Sequence, residues 1–170
     1  SAYQLADASG NTFTSSSSDV TVIGGADDDT FVGGSGVDTF SGGAGTDIFT
    51  GNGGSDVFQF ESSDSDITSI LTADRITDFT STADKIDIAV SVGDFEITAA
   101  TLNYDALVSA ADASFDPGGT GADIFAAVTD YGFTMVAVDM DQSGSFDADD
   151  LLLRLDGITN ISHLTSDDFI

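Results

Sequence analysis

Four consecutive nine-residue units constrain the fold of this chain more than any other feature. They begin at Gly24 and read GGADDDTFV, GGSGVDTFS, GGAGTDIFT and GNGGSDVFQ, with no insertion between them. Aspartate occupies the sixth position and phenylalanine the eighth position of every unit. Self-similarity at such a short period predicts a stack of identical units. A flexible glycine–serine linker is the alternative, but it leaves the fixed aspartate and phenylalanine positions unexplained.

Each unit divides into a turn and a short strand. The first six residues are rich in glycine, which permits positive φ and close approach of neighbouring backbones. The last three predict a strand whose central phenylalanine points inwards, and stacking the units gives a shared phenylalanine ladder. Two units, eighteen residues, complete one coil, so Asp29 should lie over Asp47 and Asp38 over Asp56. Upstream, Val20–Ile23 predicts a strand that caps the stack.

The acidic residues of the chain indicate a divalent cation. Aspartate supplies 28 of the 30 acidic residues, only three residues are basic, and the formal net charge is −27. Stacked carboxylates repel one another, and Ca²⁺ relieves that repulsion by taking roughly six to eight oxygen ligands. A solvated acidic surface is the alternative, but it would use glutamate as freely as aspartate. Several Ca²⁺ ions are therefore expected between the loops, held by carboxylates and glycine carbonyls. The candidate ligands in the repeats are Gly24, Asp27, Asp29, Gly33, Gly36, Asp38, Gly42, Gly45, Asp47, Gly51 and Asp56.

Two positions depart from the glycine pattern of the repeats. Asp27 replaces the fourth-position glycine of the first unit, and Asn52 replaces the second glycine of the fourth unit. Aspartate and asparagine tolerate the left-handed backbone region better than other non-glycine residues. We therefore expect both loops to keep the shape of the others.

The repeat pattern resembles that of RTX (repeat-in-toxin) proteins, and the following segment supports the same resemblance. Residues 74–79 read DRITDF and residues 84–87 read DKID, as after the repeats of serralysin-type proteases. The resemblance implies a parallel β-roll whose end is completed by a further Ca²⁺ site. The candidate ligands there are Asp66, Asp74 and Asp78.

Other residues of this segment predict core positions and ion pairs. The apolar residues fall at strand positions that face the core; they are Ile76, Phe79, Ile86 and Ile88. Arg75 and Lys85 are isolated bases among acids. For both of them a salt bridge is expected rather than a catalytic role.

The C-terminal half predicts a helix followed by strands. Residues 102–113 place apolar side chains at helical spacing. Residues 124–129 and 133–139 are rich in β-formers and flank a short turn, which predicts a hairpin. Residues 151–155 predict one more strand. The whole chain is therefore expected to be mainly β, a parallel β-roll continuing into a β-rich part with one short helix.

The segment Asp139–Asp150 matches a twelve-residue Ca²⁺ loop. Its candidate ligands are Asp139, Asp141, Ser143, Asp147 and Asp150. The final aspartate replaces the usual glutamate, and the upstream flank is strand-like, so a strand–loop–strand arrangement is favoured over helix–loop–helix. Two alternatives stay open for this loop: it holds Ca²⁺, or it only makes Asx turns.

The composition excludes several classes of function. With three basic residues against thirty acids, neither nucleic acid nor an anionic membrane is an expected partner. The absence of cysteine excludes disulfides and thiolate metal sites, and His163 is the only histidine. A zinc site is therefore not expected. No catalytic motif is present, so an enzymatic activity is not expected of this chain, and no apolar run is long enough to insert into a membrane.

The expected organisation has three parts: a flank or linker at 1–19, the β-roll and its cap at 20–90, and a C-terminal part at 91–170. Residues 1–19 lack the features of a signal peptide, and the terminal Asp-Asp-Phe-Ile resembles the ending of type I secretion substrates. The resemblance implies a module of a larger bacterial protein, an adhesin, toxin, S-layer protein or hydrolase. The type I secretion machinery would export it, and it would fold on Ca²⁺ outside the cell or at the cell surface. The alternative is an adhesion module that recognises a surface, glycan or protein.

Overall fold

The computed structural model describes residues 1–5, 9–62, 64, 67–117, 119–158 and 160–170, with the side chains of 99–101 left out. The fold is mainly β, with one α-helix in the described residues. Nine short strands come first: β1 (Ala2–Gln4), β2 (Thr12–Thr14), β3 (Thr21–Ile23), β4 (Thr30–Val32), β5 (Thr39–Ser41), β6 (Ile48–Thr50), β7 (Val57–Gln59), β8 (Asp74–Ile76) and β9 (Lys85–Asp87). The C-terminal elements are β10 (Val92–Leu102), α1 (Tyr104–Ser114), β11 (Ala122–Thr129), β12 (Thr134–Asp139), β13 (Leu151–Leu155) and the 3₁₀ helices Ile161–His163 and Ser166–Asp168.

The first nine strands form a two-faced parallel roll. Odd-numbered strands make one sheet, in the order β1-β3-β5-β7-β9, and even-numbered strands β2, β4, β6 and β8 lie in the other. Thr30 pairs with Ile48 and Thr39 with Val57, so strands one coil apart are eighteen residues apart. The predicted parallel β-roll and its eighteen-residue coil are confirmed.

The roll begins earlier than the repeats do. Strands β1 and β2 lie within the expected flank, where Tyr3 pairs with Val22 and Phe13 with Phe31. The strand predicted at 20–23 is present as β3, but its predicted capping role is wrong because β1 pairs with its outer edge. The sequence did not predict β1 and β2 because the segments around them are poor in glycine. Only Tyr3 and Phe13, at the position of the repeat phenylalanine, keep the repeat pattern.

The core of the roll is the predicted phenylalanine ladder. Phe31, Phe40, Phe49 and Phe58 are all fully buried. The rings of Phe31 and Phe49, one coil apart, stack with centroids 5.0 Å apart and planes 7° from parallel. Burying one such side chain stabilises the fold by roughly 1.5–3 kcal/mol. The ladder therefore supplies the main apolar driving force of a part whose strands are each three residues long.

The C-terminal part joins the same sheet. Strands β11, β12 and β13 are antiparallel neighbours, and β13 pairs in parallel with β8 of the roll. The predicted hairpin and the strand at 151–155 are confirmed. The predicted helix is confirmed as α1; the Asn103 side chain accepts a hydrogen bond from the Ala106 N–H and so caps its first turn. In the described part of the chain, no helix has both the length and the apolar character to cross a membrane.

The last residues of the chain pack onto the roll. Phe169 forms a parallel bridge with Ile86, and the Ile170 N–H donates to the Ile86 carbonyl at 2.9 Å. The Phe169 ring is buried and lies 5.8 Å from that of Phe95. The C-terminus therefore contributes to the folded core.

Candidate metal sites

Buried aspartates form two columns along the edges of the roll. One column contains Asp29, Asp47 and Asp74, and the other contains Asp38, Asp56 and Asp84. In each column the backbone N–H of one aspartate donates to the carboxylate of the next, at 2.6–3.0 Å. All six residues are buried. The predicted placement of Asp29 over Asp47 and of Asp38 over Asp56 is confirmed.

The first glycine of each unit makes room for the carboxylate of the same unit. A Cβ atom added to any of these glycines would lie within 2.0–2.5 Å of that Oδ2 atom, which is far too close. The glycines concerned are Gly24, Gly33, Gly42 and Gly51. A Cβ on Gly24 would also lie 2.1 Å from the Gly42 carbonyl oxygen. Carboxylate and carbonyl oxygens therefore gather at the turn where the sequence predicts an ion.

The remaining predicted loop residues lie over one another in the same way. Gly45 has a φ of 130°, and a Cβ there would lie 2.9 Å from the Asp27 carbonyl oxygen. A Cβ on Gly36 would meet the backbone of Asp19. Asn52 adopts the left-handed region at a φ of 66°, as expected, whereas Asp27 does not adopt positive φ. The fourth position of the first unit therefore keeps its place in the stack without the positive φ that the third and fourth units have there, at Gly45 and Gly54.

Two carboxylate oxygens in the first column lack any partner. Asp29 Oδ2 accepts a hydrogen bond from the Gly25 N–H at 3.1 Å. Gly43 holds the equivalent position two units later, with a φ of 87°, but in the described residues it donates no such hydrogen bond to Asp47. In the described residues nothing donates to Asp47 Oδ2 or to Asp74 Oδ2, although both atoms are buried. A buried acceptor without a donor is costly, and a cation beside these two oxygens would relieve that cost.

Burial raises the pKa of four column carboxyls, those of Asp47, Asp56, Asp74 and Asp84. It raises the pKa of Asp74 to about 9, with the charge of Asp47 adding to the effect. The pKa of Asp47 rises to about 7 and that of Asp56 to about 6, again chiefly because burial disfavours the charged form. A divalent cation beside these oxygens would reverse that preference, since it stabilises the ionised carboxylates. Hard oxygen ligands in glycine-rich turns suit Ca²⁺.

Comparison with known proteins decides the nature of these repeats. The family described as the RTX calcium-binding nonapeptide repeat matches residues 6–40 and 23–58, with four copies. This chain contains an RTX β-roll. Such repeats bind Ca²⁺, and the buried aspartate columns have the chemistry for it. No curated protein sequence matches the chain.

A solved structure shows the same fold across nearly the whole chain. It is the solution structure of the AlgE6R2 subunit from the Azotobacter vinelandii mannuronan C5-epimerase. The match has a TM-score of 0.50 and 23% sequence identity, and covers 95% of this chain and 90% of the other. The likeness establishes a shared fold, and it extends beyond the RTX repeats into the C-terminal part.

The sequence predicts a further Ca²⁺ site at the end of the RTX β-roll, and the ligand roles of its residues stay predictions. Asp74 continues the first column. Asp78 instead uses both carboxylate oxygens to accept from the backbone N–H groups of Gly51 and Asn52, at 2.9 and 2.7 Å. Asp66 lies outside the described residues. Asp64 is buried nearby, and its charge raises the pKa of both Asp47 and Asp74.

Sequence reasoning missed Asp84 as the third member of the second column. The sequence contains a pattern that identifies it. The triplet Asp-x-apolar occupies positions six to eight of every unit. It recurs at 74–76 as DRI and at 84–86 as DKI, after the nine-residue period has been lost. Of the isolated bases, Arg75 pairs with Asp156 as expected. The predicted salt bridge of Lys85 is wrong within the described residues, because its Nζ donates to the Asp167 carbonyl at 2.7 Å.

The loop Asp139–Asp150 connects β12 to β13, so strand–loop–strand is confirmed. Carboxylate oxygens of Asp139, Asp141 and Asp150 lie within 4.8 Å of one another, and a second group joins Asp141 to Asp147 and Asp149. Burial raises the pKa of Asp150 to about 7. Ser143 and Gly144 donate backbone hydrogen bonds to Asp139, so the expected Asx-type turns exist. The calcium role of the loop, including Ser143 and Asp147 as ligands, stays a prediction.

Proposed function

We propose that this chain is a calcium-dependent folding module of a larger secreted bacterial protein. The observation that carries the proposal is that one buried oxygen of Asp47 and one of Asp74 find no donor in the part of the chain that the structure describes. They belong to a chain of net charge −27, in which every uncompensated buried carboxylate opposes compaction. Ca²⁺ bound only by the folded state supplies the missing compensation as folding free energy.

The energies involved are large enough for such a switch. Extracellular Ca²⁺ modules bind with dissociation constants of ~10⁻⁴–10⁻³ M. At a free Ca²⁺ concentration of a hundred times the dissociation constant, one independent site adds about 2.7 kcal/mol. A few such sites match the total stability of an ordinary domain, about 5–15 kcal/mol. The low Ca²⁺ of a cytosol would leave the chain expanded, and the higher Ca²⁺ outside would fold it.

The packing of the C-terminus supports an order of events in which export precedes folding. Asp168 and Phe169, in the segment that resembles a type I secretion signal, are 1% and 3% exposed in the folded chain. A transporter that reads this segment would meet it only before the roll forms. We propose export by the type I secretion machinery, followed by Ca²⁺-induced folding outside the cell or at its surface.

The module itself is proposed to be non-catalytic. Its fold relative AlgE6R2 is a subunit of an enzyme, a mannuronan C5-epimerase. We extend to this chain only that modular arrangement, in which an RTX roll serves a larger protein. The larger protein is proposed to be an adhesin, toxin, S-layer protein or hydrolase.

An export assay tests the proposal. Residues 1–170 are fused behind a reporter in a cell with a type I system, alongside a fusion lacking residues 167–170 and a fusion carrying Asp74→Asn. The intact fusion and Asp74→Asn should reach the medium, whereas the truncated fusion should remain in the cell. Equal export of the truncated fusion would contradict the proposed signal. Cell attachment by purified module that depends on Ca²⁺ would instead favour the adhesion alternative.

A further inference from the structure

A cleft on the C-terminal part differs in chemistry from the rest of the molecule. It has a volume of about 530 Å³ and is lined by Ser69, Leu71, Tyr104, Tyr131, Phe133 and Arg154 together with neighbouring apolar and hydroxyl side chains. Among the described residues none that lines it is acidic, although the chain has 30 acids among 170 residues. We call it the aromatic cleft.

The wall of the aromatic cleft presents flat apolar surface to solvent. Tyr131 is 69% exposed, and its ring stacks on Phe133 with centroids 6.0 Å apart and planes 12° from parallel. Leu71, across the cleft, is 77% exposed. Leaving an aromatic face and a leucine in water forgoes their burial energy, and adjacent exposed apolar side chains of this kind mark binding surfaces.

The polar group of the aromatic cleft is a guanidinium held in a fixed position. The Cζ atom of Arg154 lies 3.8 Å from the centre of the Phe133 ring, and its Nε donates to Asp156 Oδ1 at 2.8 Å. Among the described residues, nothing accepts from its two Nη groups. Arg75 pairs with the same Asp156, so two guanidinium groups share one carboxylate and the trio carries a net positive charge.

We propose that the aromatic cleft binds a neutral saccharide. The apolar face of a pyranose ring would stack on Tyr131, since aromatic rings favour contact with the polarised C–H groups of such a face. The sugar hydroxyls would accept from the Nη groups of Arg154, which supply fixed donors.

The charges of the chain and of the cleft select this class of ligand. A polyanion would meet the long-range repulsion of a −27 chain, which one local positive charge does not offset. A cation would meet Arg154 and no acidic lining residue. A purely apolar ligand would leave the Nη groups of Arg154 without acceptors, at the cost of their desolvation.

The inference does not depend on the export proposal. It requires only the folded chain, because Tyr131 lies in the turn between β11 and β12 and Arg154 lies on β13. Circular dichroism of each sample reports folding separately, so a failure of saccharide binding and a failure of Ca²⁺-dependent folding are distinguishable.

Titration calorimetry of the Ca²⁺-loaded chain tests the inference. The neutral probes are cellohexaose, mannohexaose and chitohexaose, and hexagalacturonate serves as the acidic comparison. At least one neutral probe should bind, and Tyr131→Ala should weaken that binding by roughly tenfold. The matched control is Tyr3→Ala, which removes another exposed tyrosine at the far end of the roll, whose ring packs at a tilt against Phe13 with centroids 4.9 Å apart. It should leave the affinity unchanged.

Three results would overturn the inference. The first is no heat and no change in the NMR spectrum with any neutral probe at millimolar concentration, while the chain is folded. The second is binding of hexagalacturonate alone. The third is equal weakening by Tyr131→Ala and Tyr3→Ala, which would place the binding elsewhere.

Discussion

The RTX roll and the C-terminal hairpin bury their strands in different ways. In the roll, each repeat strand places one side chain inside and leaves the two flanking residues half-buried, as in β6 and β7. In the hairpin, every residue of β12 and all but one residue of β11 are buried, because helix α1 and the roll cover opposite faces. The hairpin therefore buries both faces of its strands, whereas each repeat strand of the roll buries only the one side chain that packs between the two sheets.

The buried carboxylates of the roll and of the hairpin loop also differ, in how many of their oxygens accept hydrogen bonds. In the loop of the hairpin, backbone N–H groups donate to both oxygens of Asp139 and to both oxygens of Asp150. In the roll, Asp47 and Asp74 each keep one buried oxygen without a donor among the described residues. The loop carboxylates are thus satisfied by backbone N–H groups, although they also form the acidic clusters of the described residues, whereas the column of the roll keeps buried oxygens without a donor.

The largest expected effect is the pH dependence of the metal-free chain. The folded-state pKa values of Asp56, Asp47 and Asp74 are raised to about 6, 7 and 9. Their contribution to stability is fully present below the unfolded pKa of about 3.9 and is lost as pH rises through these values. In excess chelator, the β signal in circular dichroism should be strong at pH 5 and weak at pH 9. A flat profile would contradict the raised pKa values.

The same titration can be assigned to one residue. Asp74→Asn removes the highest of the three pKa values, so its metal-free profile should lose the part between about pH 7 and 9. With saturating Ca²⁺ the wild-type trend should invert, since protons compete with the ion for the carboxylates. A wild-type profile in Asp74→Asn would show that general charge repulsion, not the column, governs the transition.

Removal of a ladder ring comes next in size. Phe49→Ala should lower the free energy of unfolding of the Ca²⁺-loaded chain by about 3–5 kcal/mol, because Phe49 is fully buried among other rings. Phe13→Ala is the matched control at the outer rung, where the side chain is only half-buried. Urea unfolding measures both. Equal losses would mean that the ladder does not carry the stability of the roll.

Charge removal within the columns should have a smaller effect that depends on position. In chelator at pH 8, Asp74→Asn should stabilise the chain by roughly 1–3 kcal/mol, since it removes a buried charge whose Oδ2 lacks a donor. Asp84→Asn should destabilise it, because Asp56 and Thr80 donate to both Asp84 oxygens and an amide replaces one acceptor by a donor. Because chelator unfolds the wild type at pH 8, the pH at which the metal-free β signal is lost in circular dichroism measures both variants. It should rise in Asp74→Asn and fall in Asp84→Asn, and a shift in the same direction for both would contradict the assignment.

The smallest effect is expected at His163. Its side chain is exposed, and the Ser81 hydroxyl donates to its backbone carbonyl, which alanine retains. His163→Ala should change the free energy of unfolding by less than about 0.5 kcal/mol and leave the Ca²⁺ midpoint unchanged. A shifted midpoint would give this residue a role in the metal sites.

Much of the roll could be predicted because its repeat leaves little freedom. A period of nine with fixed Asp and Phe determines which strands pair and which carboxylates lie over one another. The early strands β1 and β2 escaped prediction because only Tyr3 and Phe13 keep the inward register there. The sequence between them lacks the glycines that identify the later turns.

The end of the first column was predictable only in part. The resemblance to other RTX proteins predicted Asp74. Asp64, whose charge acts on Asp74, lies in a long connection without a repeat, so the sequence did not predict its place near the column. The use of Asp78 as a backbone cap on Gly51 and Asn52 depends on tertiary contact between segments 26–27 residues apart. The sequence pattern predicts an acidic residue at position 78, but only the folded structure shows which groups donate hydrogen bonds to its carboxylate.

Far-UV circular dichroism of the full chain at pH 8, with about 1 mM Ca²⁺ and then with excess EDTA, tests the central claim most directly. Calcium dependence predicts that EDTA abolishes the β signal and that restored Ca²⁺ recovers it. Mg²⁺ should not replace Ca²⁺, since it demands a smaller octahedral site. A compact, unchanged spectrum in excess EDTA would contradict the claim that the aspartate columns of this roll require a cation.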